Sequence, residues 1–340
     1  MVVRRIRSRP VPRLGAAPRR IGISILALGA VAAILGLGGA FSRTLDILNH
    51  LTPLYLLASI GLVAVAALAR PISWPWLGLG AAGGLAALCL VLPEMAARLG
   101  EPRPVPGQGL AVTVMTENVW AHDVSPARTA EEILKANPDI VALQEADGAG
   151  RDVVALLAKA YPFRADCTVL TEWCSMAILS RRPIVSWSHH EGAWKPPEWD
   201  RLGLVRATID GGPGGPFEIV TTQLLHPDPG GKAAAQANQL LAQMDGVDPR
   251  RALLVGDFNL TPWSFALRRI DAQLPLRRRS HAISTWPHRL PMLHGAWFPL
   301  PFLPIDQIYA GSGWKVASIR RGPGTGSDHF GLIARLVYQP

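Results

Sequence analysis

Cysteine is scarce, with three in 340 residues. That excludes a disulfide-dense scaffold and leaves no set for a cysteine-rich zinc centre. Charge is scarce as well. Asp, Glu, Lys and Arg make up 17% of the chain against 49% hydrophobic residues, and mean hydropathy is +0.20. Such a balance excludes a disordered or fibrous chain and is too apolar for an ordinary soluble enzyme. Acids are nearly missing from the N-terminal third, where only Asp46, Glu94 and Glu101 stand against 11 basic residues up to Arg103. The remainder carries 23 basic and 22 acidic side chains. The pI of about 10.1 therefore belongs to the N-terminal third and is no argument for nucleic-acid binding. No internal repeat is present.

What the N-terminal third does contain is apolar sequence. After a basic tail over residues 1–20, with seven arginines and no acid, come three uncharged runs: Ile21–Phe41, Leu51–Ala69 and Ser73–Leu92. At about 1.5 Å per residue, each is long enough as a helix to cross a hydrocarbon core of roughly 30 Å. The third is interrupted by Pro75 and several glycines. No ionisable residue lies within the runs to mark a transport pathway. The arginines crowd the tail, which predicts a cytoplasmic tail and, after an odd number of spans, a C-terminal domain on the extracytoplasmic side. A cleaved signal peptide is the rival reading of the first run; its length and the two runs after it favour an anchor. Cys89 lies in the third run, whereas Cys167 and Cys174 are close enough in sequence for a disulfide outside the cytoplasm.

Residues 93–109, rich in Pro and Gly, read as a linker to a domain over 110–340. Strands are expected at Leu110–Asn118, Asp139–Glu145, Ser175–Ser180, Val205–Ile209, Phe217–Thr222, Ala252–Phe258, Ile305–Ala310 and Gly331–Val337. Helices are expected at Ser125–Ala136, Asp152–Ala160 and Lys232–Met244. Strands predominate and hairpins occur, which favours a mixed α/β sandwich over a doubly wound parallel sheet.

The polar residues with chemistry in them follow apolar strands: Asn118, Glu145, Asp257 with Asn259, and Asp328 with His329. Strand ends at one sheet edge are a natural assembly point for a site. Acids and amides with few cysteines suit a hard cation, Mg²⁺ or Mn²⁺. A histidine beside an acid suits proton transfer or charge stabilisation at an anionic centre. Each residue taken singly reads as an ordinary turn, a solvated cap or a structural histidine.

In combination, the pieces TENVW, Gln144-Glu145, AILSRRP, GDFN, Ile305-Asp306-Gln307-Ile308 and Ser327-Asp328-His329 resemble the endonuclease/exonuclease/phosphatase superfamily across residues 111–330, in a bacterial membrane-anchored branch. The resemblance implies a four-layer sandwich, two packed mixed sheets flanked by helices, and a metal-dependent phosphoesterase. It further implies that Glu145 is the main cation ligand, helped by Asn118 and Asp328. Asp257 would activate water, Asn259 would hold the phosphate or that water, and His329, held by Asp306, would donate to a non-bridging or leaving oxygen. One piece departs from the pattern. Where a second histidine is expected, the chain reads Thr222-Gln223-Leu224-Leu225-His226, so either Gln223 fills the position by register or His226 swings in from the loop.

The substrate stays open at this point: a lipid head-group or nucleic-acid phosphodiester, a small periplasmic phosphomonoester, or a phospholigand bound without turnover. The expected setting is a multi-pass protein of the bacterial inner membrane. His189, His190, His281, His288 and His294 read as loop residues. The arginine clusters at 250–251, 268–269 and 277–279 read as a solvated face or a polyanion patch. Ile283–Pro304 reads as a substrate-side loop, a bilayer-facing lip or core packing.

Overall fold

The computed structural model describes residues 16–170, 174–191, 202–290, 292 and 294–339. Most of the arginine-rich tail lies outside them. The sandwich follows from strands that are apolar on both faces. Leu253 and Val255 point into the space between two sheets, while Leu254 between them points at flanking helices. Likewise Ile140 and Ala142 face the inter-sheet core, and Val141 and Leu143 face the helices outside. Period-two alternation with no polar face requires cover on both sides.

One sheet runs in the order Trp314–Gly324, Phe330–Tyr338, Leu110–Asn118, Ile140–Gln144, Ala177–Ser180 and Phe163–Asp166. The other runs Ile184–Glu191, Gly203–Ile209, Phe217–Gln223, Leu253–Asp257, Asp306–Ala310 and Arg277–Arg278. Each sheet has one parallel pair, Leu110–Asn118 with Ile140–Gln144 and Phe217–Gln223 with Leu253–Asp257. Helices Pro126–Ala136 and Gly150–Leu157 cover the first sheet, and Lys232–Gln243 and Phe265–Gln273 the second. These are the four layers expected. Sequence reading missed the strands Phe163–Asp166, Ile184–Glu191 and Trp314–Gly324 and the helix Phe265–Gln273. Cys167 and Cys174 are disulfide-bonded across the turn that follows Phe163–Asp166.

Before the sandwich stand three helices long and apolar enough to cross a membrane, Ala17–Ala40, Arg43–Leu68 and Trp74–Leu99. They pack through small residues. A Cβ on Gly83 would meet the Ala30 Cα at 2.7 Å, so only glycine permits this approach. Large apolar side chains such as Ile21, Leu28, Leu57 and Leu85 point outward.

Two differences from the sequence reading have one cause. The residues between the first two runs, expected to be a loop, form a short helix Arg43–Leu48 capped by Ser42. The third helix continues to Leu99, past the expected end at Leu92. In both places an acid docks the bundle on the sandwich. Asp46 accepts hydrogen bonds from Phe265 N and Ala266 N, both at 2.8 Å, at the start of helix Phe265–Gln273; a carboxylate satisfies the free amides there. Glu94 accepts from both terminal nitrogens of Arg278, at 2.7 and 2.9 Å, and from Ala282 N at 2.9 Å. Arg279 pairs with Glu101, and Arg268 donates to Leu90 O. Arg268, Arg278 and Arg279 are therefore spent on the third long helix and the segment after it, neither a solvated face nor a polyanion patch.

Removing one partner of a buried ion pair strands the other. Glu94→Ala should destabilise the full chain by about 3 kcal/mol, and Arg278→Met added to it should recover part of the loss. Thermal denaturation in detergent checks this; a single variant as stable as wild type would contradict the docking.

Candidate active site

The site forms where strands of both sheets end. Asp257 closes Leu253–Asp257 and lies opposite Asp306 in the antiparallel register. Gly256 before it has φ +147°, and a Cβ there would sit 1.9 Å from Thr222 O, so the GDFN turn needs its glycine. Glu145 and Asn259 both adopt left-handed backbone, each at φ +51°. A non-glycine residue rarely takes this conformation, and it turns each side chain off its strand into the site.

Asn118 links the carboxylates, donating from Nδ2 to Glu145 Oε1 at 2.9 Å and to Asp257 Oδ2 at 3.1 Å. Its Oδ1 accepts from Trp120 N at 2.9 Å. Its amide nitrogen, rather than its oxygen, thus faces the acids and joins the two carboxylates. Glu145 also accepts from Gln223 Nε2 at 2.7 Å and from Ala121 N at 3.2 Å. Burial would push its pKa up, but these three donors outweigh burial and hold it below the ordinary value.

His329 bridges the two sheets. Its Nδ1 lies 2.9 Å from Asp306 Oδ2, its Nε2 3.8 Å from Asp257 Oδ2, and its backbone N donates to Ser327 Oγ at 3.0 Å. Burial opposes the imidazolium, yet the charges of Asp306 and Asp257 dominate and raise the His329 pKa well above its usual value. The Asp257 carboxyl is raised by burial and by Asp306, with His329 opposing. Asn259 backs Asp257 from its backbone N at 2.9 Å, and its Nδ2 donates to Leu224 O at 2.8 Å. Burial also raises Asp328, whose carboxylate accepts from Trp286 Nε1 at 3.2 Å.

Among the described residues, Asp257, Asp306 and His329 offer ligand atoms within reach of one ion; the acids that favour a proton on His329 make that proton a competitor of the ion. Glu145, kept ionised and near Asp328, gives an all-oxygen donor set that fits a hard divalent cation.

A cavity of about 680 Å³ opens over these groups. Glu145, Asp257, Asn259, Asp328, His329 and His226 line it, with Trp120, His122, Trp286, Leu303 and Ile305. Gln223 is turned to Glu145 behind that surface, whereas His226 reaches the cavity. Trp286 and Leu303 place part of Ile283–Pro304 on the substrate side. Ile47, His50 and Leu51 of the N-terminal helices complete the lining. Sequence reasoning missed them, and nothing in the short segment between two apolar runs marks a single histidine as part of a distant site. His281 contacts Glu94, and burial lowers the pKa of His288 to about 4.

If Asn118 holds the two carboxylates in register, Asn118→Ala should lower turnover by about 10²-fold, as outer-shell losses do. It should also raise the Mg²⁺ concentration needed for half-maximal activity. A metal titration of the full chain measures both; an unchanged titration curve would contradict the linking role.

No curated protein sequence matches the chain. Among solved structures, it is similar to an endonuclease/exonuclease/phosphatase from Beutenbergia cavernae at 22% identity and TM-score 0.51, over 68% of this chain and 72% of that one. It is also similar to SmcL at 18% identity and TM-score 0.52, over 68% and 99%. A beta toxin from Staphylococcus aureus solved with bound magnesium ions aligns at 15% identity and TM-score 0.51, over 67% and 99%. These likenesses concern the fold. The model of the Endonuclease/Exonuclease/phosphatase family matches residues 115–329, a span running from the first central strand through His329. The chain belongs to that family, whose members are metal-dependent phosphoric ester hydrolases.

Proposed function

We propose that the protein is a membrane-anchored phosphodiesterase that uses Mg²⁺ or Mn²⁺ and hydrolyses the head-group phosphodiester of a lipid on the extracytoplasmic side of the bacterial inner membrane. One observation supports lipid over nucleic acid. The cavity over Glu145 and Asp257 is lined by Trp120, Trp286, Leu303, Ile305, Ile47 and Leu51, with no Lys or Arg among its described lining residues. A nucleic-acid groove relies on basic side chains along a phosphate backbone. An apolar cavity with a few convergent polar groups suits an amphiphile.

Glu145, with Asp328, holds the cation, and Asn118 and Gln223 fix the Glu145 carboxylate. When bound, the cation neutralises charge on the phosphoryl group. Asp257, its basicity raised by burial, orients water and takes its proton. Asn259 holds Asp257 and faces the phosphoryl position. His329 enters protonated and donates to a non-bridging or leaving oxygen. Asp306 fixes its ring and sustains the charge.

Topology supports the placement. Asp46 between the first two spans and Glu94 at the end of the third lie on the same side of a three-span bundle, and both touch the sandwich. The arginine-rich tail then faces the cytoplasm. The Cys167–Cys174 disulfide suits an oxidising compartment.

Full-length protein in detergent with Mg²⁺ should hydrolyse phospholipid or sphingolipid dispersions in preference to plasmid DNA or RNA. Asp257→Asn and His329→Ala should each lower kcat by about 10³-fold or more with an unchanged circular dichroism spectrum. Near-normal turnover in either variant would remove the assigned site, and a preference for nucleic acid would remove the lipid reading. Peptide mapping without reduction of protein from bacterial membranes should recover the linked Cys167–Cys174 peptide. Two free thiols there would contradict the extracytoplasmic placement.

A further inference from the structure

One wall of the catalytic cavity comes from outside the family domain. His50 lies in the 3-10 turn Asn49–Leu51 near the start of the second long helix, Arg43–Leu68, well before residue 115, where the family match begins. It nevertheless lines the cavity with Asp257, Asn259 and His329. The turn is tied down at several points. Asp46, one helical turn earlier, caps helix Phe265–Gln273. Asn49 donates to Asp46 Oδ1 and to Gly36 O, both at 2.9 Å. The His50 carbonyl accepts from Trp263 Nε1 at 3.3 Å.

The ring itself is fixed by the loop that carries the catalytic acid. His50 Nδ1 is 3.2 Å from the hydroxyl of Thr261, a fully buried residue two positions after Asn259. A hydroxyl that donates to Nδ1 leaves the imidazole proton on Nε2, and Nε2 has no partner among the described residues. His226 lines the same cavity and is close enough to interact electrostatically with His50. Gln223 donates from its amide nitrogen to Glu145 and is not among the residues that line the cavity.

We propose that His50 is a substrate-contacting residue of the active site, its Nε2–H donating to a phosphoryl oxygen as His329 does. The catalytic centre is then complete only when the membrane helices are docked on the sandwich. Ile47 and Leu51 flank the donor with apolar surface, so a phosphate attached to a lipid fits this wall better than a free one. The proposal rests on the phosphodiesterase reading above, but it concerns phosphate contact and can be measured separately from turnover.

The test uses the full chain in detergent with Mg²⁺. Turnover is followed with bis(p-nitrophenyl) phosphate and affinity with inorganic phosphate by calorimetry, for wild type, His50→Ala, His50→Gln and Asp257→Asn. Loss of one donor to developing charge costs about 10²-fold. His50→Ala should lose about that factor, mainly in kcat, and bind phosphate about tenfold more weakly. His50→Gln, which keeps an N–H donor, should recover most of both, and thermal midpoints should stay within a degree of wild type. His50 variants that match wild type in turnover and phosphate affinity, while Asp257→Asn is inactive, would overturn the proposal and leave the phosphodiesterase reading intact. Wild type that hydrolyses no phosphodiester, yet binds phosphate more tightly than His50→Ala, would sustain the contact and overturn the activity. A His50→Ala defect that Gln does not relieve, with a lowered thermal midpoint, would make His50 structural and overturn the proposal.

Discussion

The hydrogen bond between Asp306 and His329 joins the two sheets of the sandwich at its catalytic end. Asp306 opens a strand of one sheet, and His329 immediately precedes a strand of the other. The imidazole is buried, so it can stay charged only while Asp306 and Asp257 face it. Asp257 likewise gains from its charge, since burial alone would favour its neutral form. Each group depends on the sheets meeting at the right separation, which the inter-sheet core around Val112, Val255 and Ile308 sets. Gln144 adds a polar link of the same kind, donating to Thr221 across the sandwich at 2.7 Å. Catalytic geometry and packing are thus one constraint.

A second constraint comes from the three N-terminal helices, which are long and apolar enough to cross a membrane. The three helices are joined to the sandwich by buried acids, Asp46 on a helix N-terminus and Glu94 on Arg278. An isolated carboxylate at the end of a membrane span is costly; here each has its partners in the folded domain. The bundle is therefore held in a fixed relation to the cavity, and its first turn becomes part of the wall. The lipid-facing reading depends on this docking as much as on the catalytic residues.

Much of this was legible in the sequence because the signals are local. Runs such as Leu253–Val255, apolar on consecutive positions, announce strands covered on both faces, and the polar residues that follow them mark the site. Gly256 and the left-handed Asn259 belong to a turn whose chemistry is written in four adjacent residues. What escaped was long-range. Arg278 and Arg279 look like surface charge until Glu94 and Glu101, about 180 positions away, are brought against them. Asn118 donates to both acids, an arrangement that depends on which amide atom Trp120 N occupies. The competition between Gln223 and His226 could not be resolved by register, because it turns on whether a side chain faces Glu145 or the cavity. The strand Trp314–Gly324 carries two register shifts against its neighbour, which blur its alternation.

Anomalous diffraction from crystals of the full chain soaked in Mn²⁺ locates the cation directly. An ion on the cavity side of Glu145, at about 2.1 Å from a carboxylate oxygen, with His329 still hydrogen-bonded to Asp306, is the predicted result. An ion bound instead by His329 Nε2 with Asp257 would contradict it, because the imidazole would then be a neutral ligand and could not act as the acid.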